Sequence, residues 1–344
     1  VAQTPDDQAA LYVEMGEVYS QELRAVDRAA SAYQYALQVA PDNRPALHAL
    51  GVLYERTGNW PFALEMLQRE AESFGPAREA VELFHRIGHI QENMMQDLPA
   101  ARDAYQQALS IDPAYLPSIR ALKGVQEMER DWSGFEATAL QEAQQSEDPK
   151  AKAGALIQVA RHHAENLQDP EGAVTYWEQA LEHVPDALDA ARPLVDVYTQ
   201  REDWPQAERM LDIVVRNLAQ SAMNQQDEAL ATELSRALYR LGYVSEKLGN
   251  REKALDAFEK AYQFDSTHLP TLEGYGHLLV ASERWEDAIR IQSAILIHHR
   301  EELTDMEVVE VYWQLGDAYG RLGQAERAEN HYQKALELDP GHEA

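Results

Sequence analysis

Apolar residues recur along this chain with the period of an α-helix, and residues 308–340 show the pattern most clearly. The apolar positions there lie three or four residues apart, which places them on one side of a helix. Gly323 interrupts the pattern and Pro340 ends it, because glycine favours helix ends and the residue before a proline is biased away from helical geometry. The stretch therefore predicts two amphipathic helices joined by a short turn. Their apolar faces are formed by Tyr312, Leu315, Gly316 and Tyr319 and by Ala328, Tyr332, Ala335 and Leu336.

The same two-helix pattern recurs eight more times before this stretch. One residue on the apolar face of each second helix, usually alanine, marks the register. Four of the eight intervals between these markers are equal and the other four are longer. The markers are Ala29, Ala63, Ala101, Phe135, Ala173, Ala207, Ala254, Ala288 and Ala328. A row of about nine helix pairs is predicted, each packed only on its neighbours.

The fourth pair, at about 115–148, departs from the pattern. Lys123 stands where glycine is expected in the first helix. Phe135 replaces the expected alanine of the second helix, and Ala139 replaces the large residue that follows it. Because this exchange keeps the total side-chain volume similar, we expect the core to tolerate it.

The order aromatic-x-x-Leu-Gly-x-x-Tyr, then Ala-x-x-x-Tyr, then Pro, resembles the tetratricopeptide repeat (TPR), and the resemblance covers nearly the whole chain. The four equal intervals between markers match the period of this family. The resemblance implies an all-α fold, a right-handed superhelical solenoid of about nine helix-turn-helix repeats. We expect repeats 1–6 in residues 1–220 and repeats 7–9 in residues 221–344, continuous with the first block.

The longest interval, from Ala207 to Ala254, contains a polar, glutamine-rich insertion at residues 219–233, AQSAMNQQDEALATE. Its alanine and leucine content favours helix. We expect it to extend the first helix of the seventh repeat at its start. The alternative is a hinge between the six-repeat and three-repeat blocks.

TPR arrays usually line a concave groove with their first helices and bind peptides or short protein segments there. The resemblance implies that the inward positions are the one just after the Tyr/Leu position and the one just after the small residue. These two positions are four residues apart and therefore share a face. The candidate groove residues are His48, His85, His89, Arg120, Arg161, Arg192, Tyr239, Tyr243 and Trp313.

The candidate residues suggest two kinds of ligand. The histidines and arginines of the middle groove suit an acidic or C-terminal segment, because guanidinium groups pair with carboxylates. The alternative is that they pair internally with neighbouring Asp or Glu. Beyond the insertion, Tyr239, Tyr243 and Trp313 suit a basic or aromatic-anchored segment. The alternative there is packing between adjacent first helices.

The chain has 59 acidic and 30 basic residues and a formal charge of −29, which argues against binding a nucleic-acid backbone or an anionic membrane. No apolar run is long enough to cross a bilayer, so direct membrane insertion is not expected. The chain contains no cysteine, which excludes disulfides and thiolate chemistry.

No catalytic or nucleotide-binding motif is found, so we predict no enzymatic activity and no cofactor. His85 and His89 are four residues apart, a spacing that suits a metal, but no third ligand is evident and no metal site is predicted. The adjacent pairs His162-His163 and His298-His299 are interpreted as surface residues. Trp60, Trp132, Trp204 and Trp285 recur at the start of second helices and are expected to pack under the turns.

The predicted function is a non-enzymatic scaffold that binds a protein or peptide segment in the concave groove. The alternative is a regulatory or docking module of a larger multidomain or membrane-associated assembly protein, since no polar cap is evident at either end of the array. A cytoplasmic location is favoured over a periplasmic one.

Overall fold

The computed structural model describes residues 4–224 and 228–339, and these residues form α-helices with no β-strand. Two short π-helical turns, Gln91–Met95 and His163–Leu167, follow α5 and α9. The predicted all-α fold of about nine helix pairs is confirmed. The helices are α1 (Pro5–Gln21), α2 (Val26–Val39), α3 (Arg44–Arg56), α4 (Trp60–Phe74), α5 (Arg78–Ile90), α6 (Leu98–Ile111), α7 (Leu116–Glu129), α8 (Trp132–Gln145), α9 (Pro149–His162), α10 (Pro170–His183), α11 (Leu188–Gln200), α12 (Trp204–Asn224), α13 (Glu228–Lys247), α14 (Arg251–Phe264), α15 (Leu269–Ala281), α16 (Trp285–His299), α17 (Asp305–Arg321) and α18 (Ala325–Leu338).

The helices are grouped into two compact units, residues 1–179 and 180–344. In the first unit, α1 packs on α2, α3 on α4, α5 on α6 and α7 on α8. In the second unit the packed pairs are α11 with α12, α13 with α14, α15 with α16 and α17 with α18. The predicted grouping of repeats into residues 1–220 and 221–344 stays a prediction.

Small residues let the two helices of a pair approach closely enough to enclose an aromatic ring. A Cβ added at Gly88 of α5 would lie 2.5 Å from Cε1 of Tyr105 in α6, and one added at Gly316 would lie 2.6 Å from Cε1 of Tyr332. Real Cβ atoms do not approach a ring this closely. The ring therefore fills the space that glycine leaves, and the pair reaches the density of a protein interior.

The fourth repeat keeps this packing with exchanged residues, as predicted. Phe135 is 4% exposed and Ala139 is completely buried. Lys123, at the glycine position, extends its ammonium group to Glu142 of α8 and to Gln158 of α9. Phe135 and Ala139 thus occupy the buried positions that alanine and a large residue occupy in the regular repeats.

The insertion lengthens two helices. The helix α13 has 20 residues, and its start at Glu228 confirms the predicted extension of the seventh repeat's first helix. The preceding helix α12 is also long, with 21 residues, which the sequence pattern did not predict. The connection at residues 225–227 lies outside the described residues, so the alternative of a hinge stays a prediction.

Each second helix follows a turn with one residue in the left-handed region. This residue lies five positions before the marker of every repeat. Glycine occupies the position three times, at Gly58, Gly249 and Gly323, and other residue types occupy it six times, at Arg24, Gln96, Arg130, Gln168, Glu202 and Glu283. The constant offset confirms the register of all nine turns, including the turn of the irregular fourth repeat.

The four recurring tryptophans begin second helices, as the sequence predicted. They are the first residues of α4, α8, α12 and α16. Trp132 stacks on His162 with ring centroids 4.9 Å apart, and Trp60 packs against the core formed by α4, α5 and α6. At these two positions, the tryptophan is a packing residue.

Candidate functional site

The first helices of neighbouring repeats lie beside each other in the first unit and exchange side-chain contacts. We name the exposed side of α3, α5, α7 and α9 the first surface. The contacts are Arg86 Nη2 to Glu55 Oε2 at 2.6 Å, His85 Nδ1 to Ser118 Oγ at 3.1 Å and Lys123 Nζ to Gln158 Oε1 at 2.6 Å. They join α3 to α5, α5 to α7 and α7 to α9.

The first helices of the second unit are joined in the same way. We name the exposed side of α11, α13 and α15 the second surface. The contacts are Arg192 Nη2 to Glu233 Oε1 at 2.7 Å, Arg240 Nη2 to Asp196 Oδ1 at 2.6 Å and His277 Nδ1 to Glu246 Oε1 at 3.6 Å. In each unit, the first helices therefore form one continuous row.

His48 and His85 are brought together in one cleft of about 640 Å³ on the first surface, which we name the α3–α5 cleft. His48 is exposed, and its Nδ1 lies 3.1 Å from Oε1 of Glu70. His85 is half-buried against the rings of Tyr105 and Tyr115. Burial, together with the nearby His89, lowers the pKa of His85, so this ring is neutral at physiological pH. His89, one turn further along α5, is exposed.

The three candidate arginines are exposed but differ in their partners. Arg120 Nε donates to Glu142 Oε1 at 2.8 Å, and Arg192 pairs with Glu233. Both contacts match the alternative of internal pairing. Arg161 of α9 makes no hydrogen bond or ion pair with a described residue. Arg161 therefore differs from Arg120 and Arg192, because no described carboxylate pairs with its guanidinium group.

The three candidate aromatic residues contact their own repeats, and two of them also contact a neighbouring repeat. The Tyr239 ring lies 5.4 Å from that of His268, and the Tyr243 ring lies 6.1 Å from that of Trp204. The Tyr239 ring lies 6.1 Å from that of Phe258, and the Trp313 ring lies 4.7 Å from that of Tyr332. Tyr243 is 38% exposed and lies beneath the ammonium group of Lys247 at 5.2 Å. Tyr243, on the second surface, is thus the most accessible of the three rings.

Two buried glutamates in second helices were not among the candidate residues. Glu70 of α4 is 6% exposed and Glu142 of α8 is 5% exposed. Each lies seven positions after the marker of its repeat. That offset places a carboxylate on the buried face of an amphipathic helix. An acidic residue at a position expected to be apolar was the sequence signal that could have identified both glutamates.

The interpretation of the adjacent histidine pairs as surface residues is wrong for three of the four side chains. His162 is 4% exposed, between Trp132 and Phe135. The His163 side chain is 12% exposed and lies between Asp169 and Glu136. The His299 side chain is 13% exposed and contacts the Thr267 carbonyl, whereas His298 is exposed. The reason is that a helix or π-helical turn buries whichever side faces the next hairpin, and polarity alone does not show that side.

Among the described residues, no group of three His, Asp or Glu side chains is arranged to hold a metal ion. No helix in the described parts of the chain combines the length and the apolar character needed to cross a membrane.

Family models of the tetratricopeptide repeat match the chain at residues 46–73, 162–222, 235–268 and 268–340. Together these matches span more than half of the chain. The chain belongs to the tetratricopeptide repeat family. Its fold is the TPR solenoid, and TPR repeats imply a scaffold for protein–protein interaction.

One curated relative is the protein CTR9 homolog of Arabidopsis thaliana, 23% identical over 90% of this chain and 30% of that protein. The chain therefore spans less than a third of the length of this relative. Among solved structures, YrrB, described as a TPR protein with an unusual peptide-binding site, is 19% identical over 60% of this chain and 93% of its own, with a TM-score of 0.42. PilF of Pseudomonas aeruginosa is 15% identical over 78% and 97%, with a TM-score of 0.33.

Proposed function

We propose that this TPR protein is a non-enzymatic scaffold that binds a peptide or protein segment along its first surface and its second surface. The observation that supports this most is the continuous row of first helices in each unit, on which candidate groove residues remain exposed. His89 and Arg161 are exposed on the first surface and Tyr243 on the second. A segment lying across such a row can contact several repeats at once.

The side chains suggest how a segment is held. Arg161 is available for a carboxylate and can form paired hydrogen bonds with it. At Arg120 and Arg192, an acidic segment must compete with Glu142 and Glu233, so these arginines are less favourable anchors. On the second surface, Tyr243 offers a ring for an aromatic or basic side chain.

Site-specific photo-crosslinking tests the proposal. A photo-reactive phenylalanine derivative is placed at Arg161 or at Tyr243, and at Gln106 as a control on the exposed side of the second helix α6. We expect the same protein partner from the native lysate to be cross-linked at the first two positions and not at Gln106. Cross-links at Gln106 alone would place binding on the second helices and contradict the proposal.

The alternative predicted from the sequence, a docking module of a larger assembly, stays a prediction. It uses the same two surfaces, and the identity of the cross-linked protein distinguishes it from a free-standing scaffold.

A further inference from the structure

The two buried glutamates occupy corresponding places in repeats 2 and 4. Glu70 lies ten positions after Trp60, which begins α4, and Glu142 lies ten positions after Trp132, which begins α8. Aligning the two repeats on these tryptophans also matches the neighbouring side chains of the two hairpins. The corresponding pairs are His48 with Arg120, Gly51 with Lys123 and Arg86 with Gln158. One repeat can therefore be compared directly with the other.

Both carboxylate oxygens of Glu142 have cationic partners. Oε1 accepts from Arg120 Nε at 2.8 Å, and Oε2 accepts from Lys123 Nζ at 2.5 Å. Burial opposes the charge of Glu142, but the hydrogen bonds from Lys123 and Arg120 outweigh it and lower the pKa of this carboxyl group. Repeat 4 thus holds a buried carboxylate that is completely satisfied.

Glu70 has a counterpart to only one of these two partners. His48 stands where repeat 4 has Arg120, and nothing stands where repeat 4 has the Lys123 side chain. Glu70 Oε1 contacts His48 Nδ1 at 3.1 Å, whereas Glu70 Oε2 is buried and has no hydrogen-bond partner among the described residues. The cause is Gly51, which brings no side chain to the place from which Lys123 reaches Glu142. An unsatisfied buried carboxylate oxygen is unfavourable, since it has lost its hydration without gaining a donor. Burial accordingly raises the pKa of Glu70.

Glu70 lies in the wall of the α3–α5 cleft, and the rest of the cleft favours a cation. Glu79 and Glu82 line it with exposed carboxylates. Arg86 also lines it, but Arg86 is paired with Glu55 at 2.6 Å. Arg78 is the other arginine of the lining, and His85 is neutral. The carboxylates therefore outnumber the cations that remain to balance them.

We infer that the α3–α5 cleft binds the ammonium group of a lysine side chain from a partner segment. This ammonium takes, at Oε2 of Glu70, the place that Lys123 Nζ fills at Glu142. The apolar stem of the lysine lies along Leu83 and Tyr115, which line the same cleft. The inference rests on the proposed function, since it names the chemistry of one side chain in the bound segment. It assigns a basic residue to the part of the groove that contains His48 and His85, where an acidic one was expected.

Fluorescence anisotropy of the full chain with a labelled pentalysine peptide tests the inference, and a penta(acetyl-lysine) peptide shows the requirement for charge. The decisive variant is Glu70→Gln, and the matched control is Glu72→Gln on the exposed side of the same helix. Both variants remove one negative charge, so nonspecific attraction to the acidic surface falls equally. We expect Glu70→Gln to weaken pentalysine binding about tenfold, as for a lost charge-assisted hydrogen bond, and Glu72→Gln to weaken it less than about twofold.

A second variant does not depend on removing Glu70. In Gly51→Lys the chain supplies its own ammonium group, as repeat 4 does, and the new Cβ meets Met66 Cβ at an ordinary 3.5 Å. We expect Gly51→Lys to raise the thermal midpoint above that of the neutral control Gly51→Gln. It should also weaken pentalysine binding about tenfold, because Glu70 is then occupied.

Equal weakening by Glu70→Gln and Glu72→Gln, or unchanged binding in Gly51→Lys, would overturn the inference. If a partner nevertheless cross-links at Arg161, the proposed scaffold function stands without the lysine site. If pentalysine binding depends on Glu70 but no partner cross-links at the first helices, the lysine site stands and the wider function fails.

Discussion

At the residue scale, the packing of repeats 1, 3, 7 and 9 depends on a glycine facing an aromatic ring. In repeat 3, the ring of Tyr105 lies where a side chain at Gly88 would be, and the Tyr105 hydroxyl donates to Glu92 Oε2 at 2.7 Å. That hydrogen bond limits how far the ring can move. The sequence pattern predicted the small residue and the large residue but not the bond that fixes the ring.

Gly88→Ala is expected to destabilise the protein by about 1–3 kcal/mol, because the added methyl group overpacks the contact with Tyr105. Gly124→Ala is the matched control. Gly124 is also inside a first helix, but a Cβ there has no other atom within 4 Å. The control should be neutral or stabilising by up to about 1 kcal/mol, since alanine is the better helix former. Urea denaturation measures both changes, and equal effects would contradict the packing argument.

The environment of His162 makes the stability of the first unit sensitive to pH. Both ring nitrogens of His162 are buried and lack hydrogen-bond partners among the described residues, and the ring stacks on Trp132. Burial, with a smaller contribution from His163, lowers the pKa of His162, while Glu136 opposes the shift. The folded state therefore favours the neutral ring.

The unfolded chain binds a proton at His162 near the ordinary pKa of 6.5, whereas the folded chain resists it until lower pH. The stability contributed by the neutral ring is therefore complete above pH 6.5 and is lost as the pH falls through 6.5 toward the folded pKa. We expect His162→Phe, which keeps the stacked ring, to lose less thermal stability than the natural chain between pH 7 and pH 5. If the thermal midpoints of the two proteins fell by the same amount across this range, His162 would have no role in the pH dependence.

At the scale of the element, the turn between the two helices of a repeat has a left-handed residue at the same position in all nine cases. Its left-handed residue lies five positions before the marker of the second helix. Only three of these residues are glycine, so the other six hold a side chain in a conformation that costs roughly 1–2 kcal/mol in an L-residue. The hairpin geometry imposes the turn whether or not the local sequence favours it.

Replacing a non-glycine residue at this position should stabilise the turn. Gln96→Gly is expected to raise the free energy of unfolding by about 0.5–1 kcal/mol, the relief of strain less the extra entropy of glycine in the unfolded chain. Gly58→Ala should lower it by a similar amount, and no atom lies within 4 Å of the added Cβ, so the effect is conformational. Thermal melting compares the two variants, and shifts in the same direction would be incompatible with this account.

Helix boundaries were predictable where the local signal was strong. The tryptophans at the start of α4, α8, α12 and α16 and the extension of α13 followed from the sequence. The long end of α12 did not, because its glutamine-rich and alanine-rich residues are compatible with either helix or loop.

At the scale of the whole molecule, the acidic excess determines what the candidate basic groups do. With 59 acidic and 30 basic residues in the chain, several arginines pair with a carboxylate on a neighbouring helix. Arg86, Arg120 and Arg192 are paired in this way. The expected basic strip of the middle groove is therefore largely neutralised, and the opposite charge defines the α3–α5 cleft.

The sequence by itself determined the helical class, the number and register of the repeats and the exchange at Phe135, because these depend on spacings of apolar residues that each repeat shows on its own. It did not determine the charge character of the groove. That depends on which carboxylate lies within hydrogen-bond distance of which cation, and such partners are far apart along the chain, on different helices. Only the tertiary structure showed that Glu142 has two partners and Glu70 one, since a buried charge is satisfied or not by the helices packed around it.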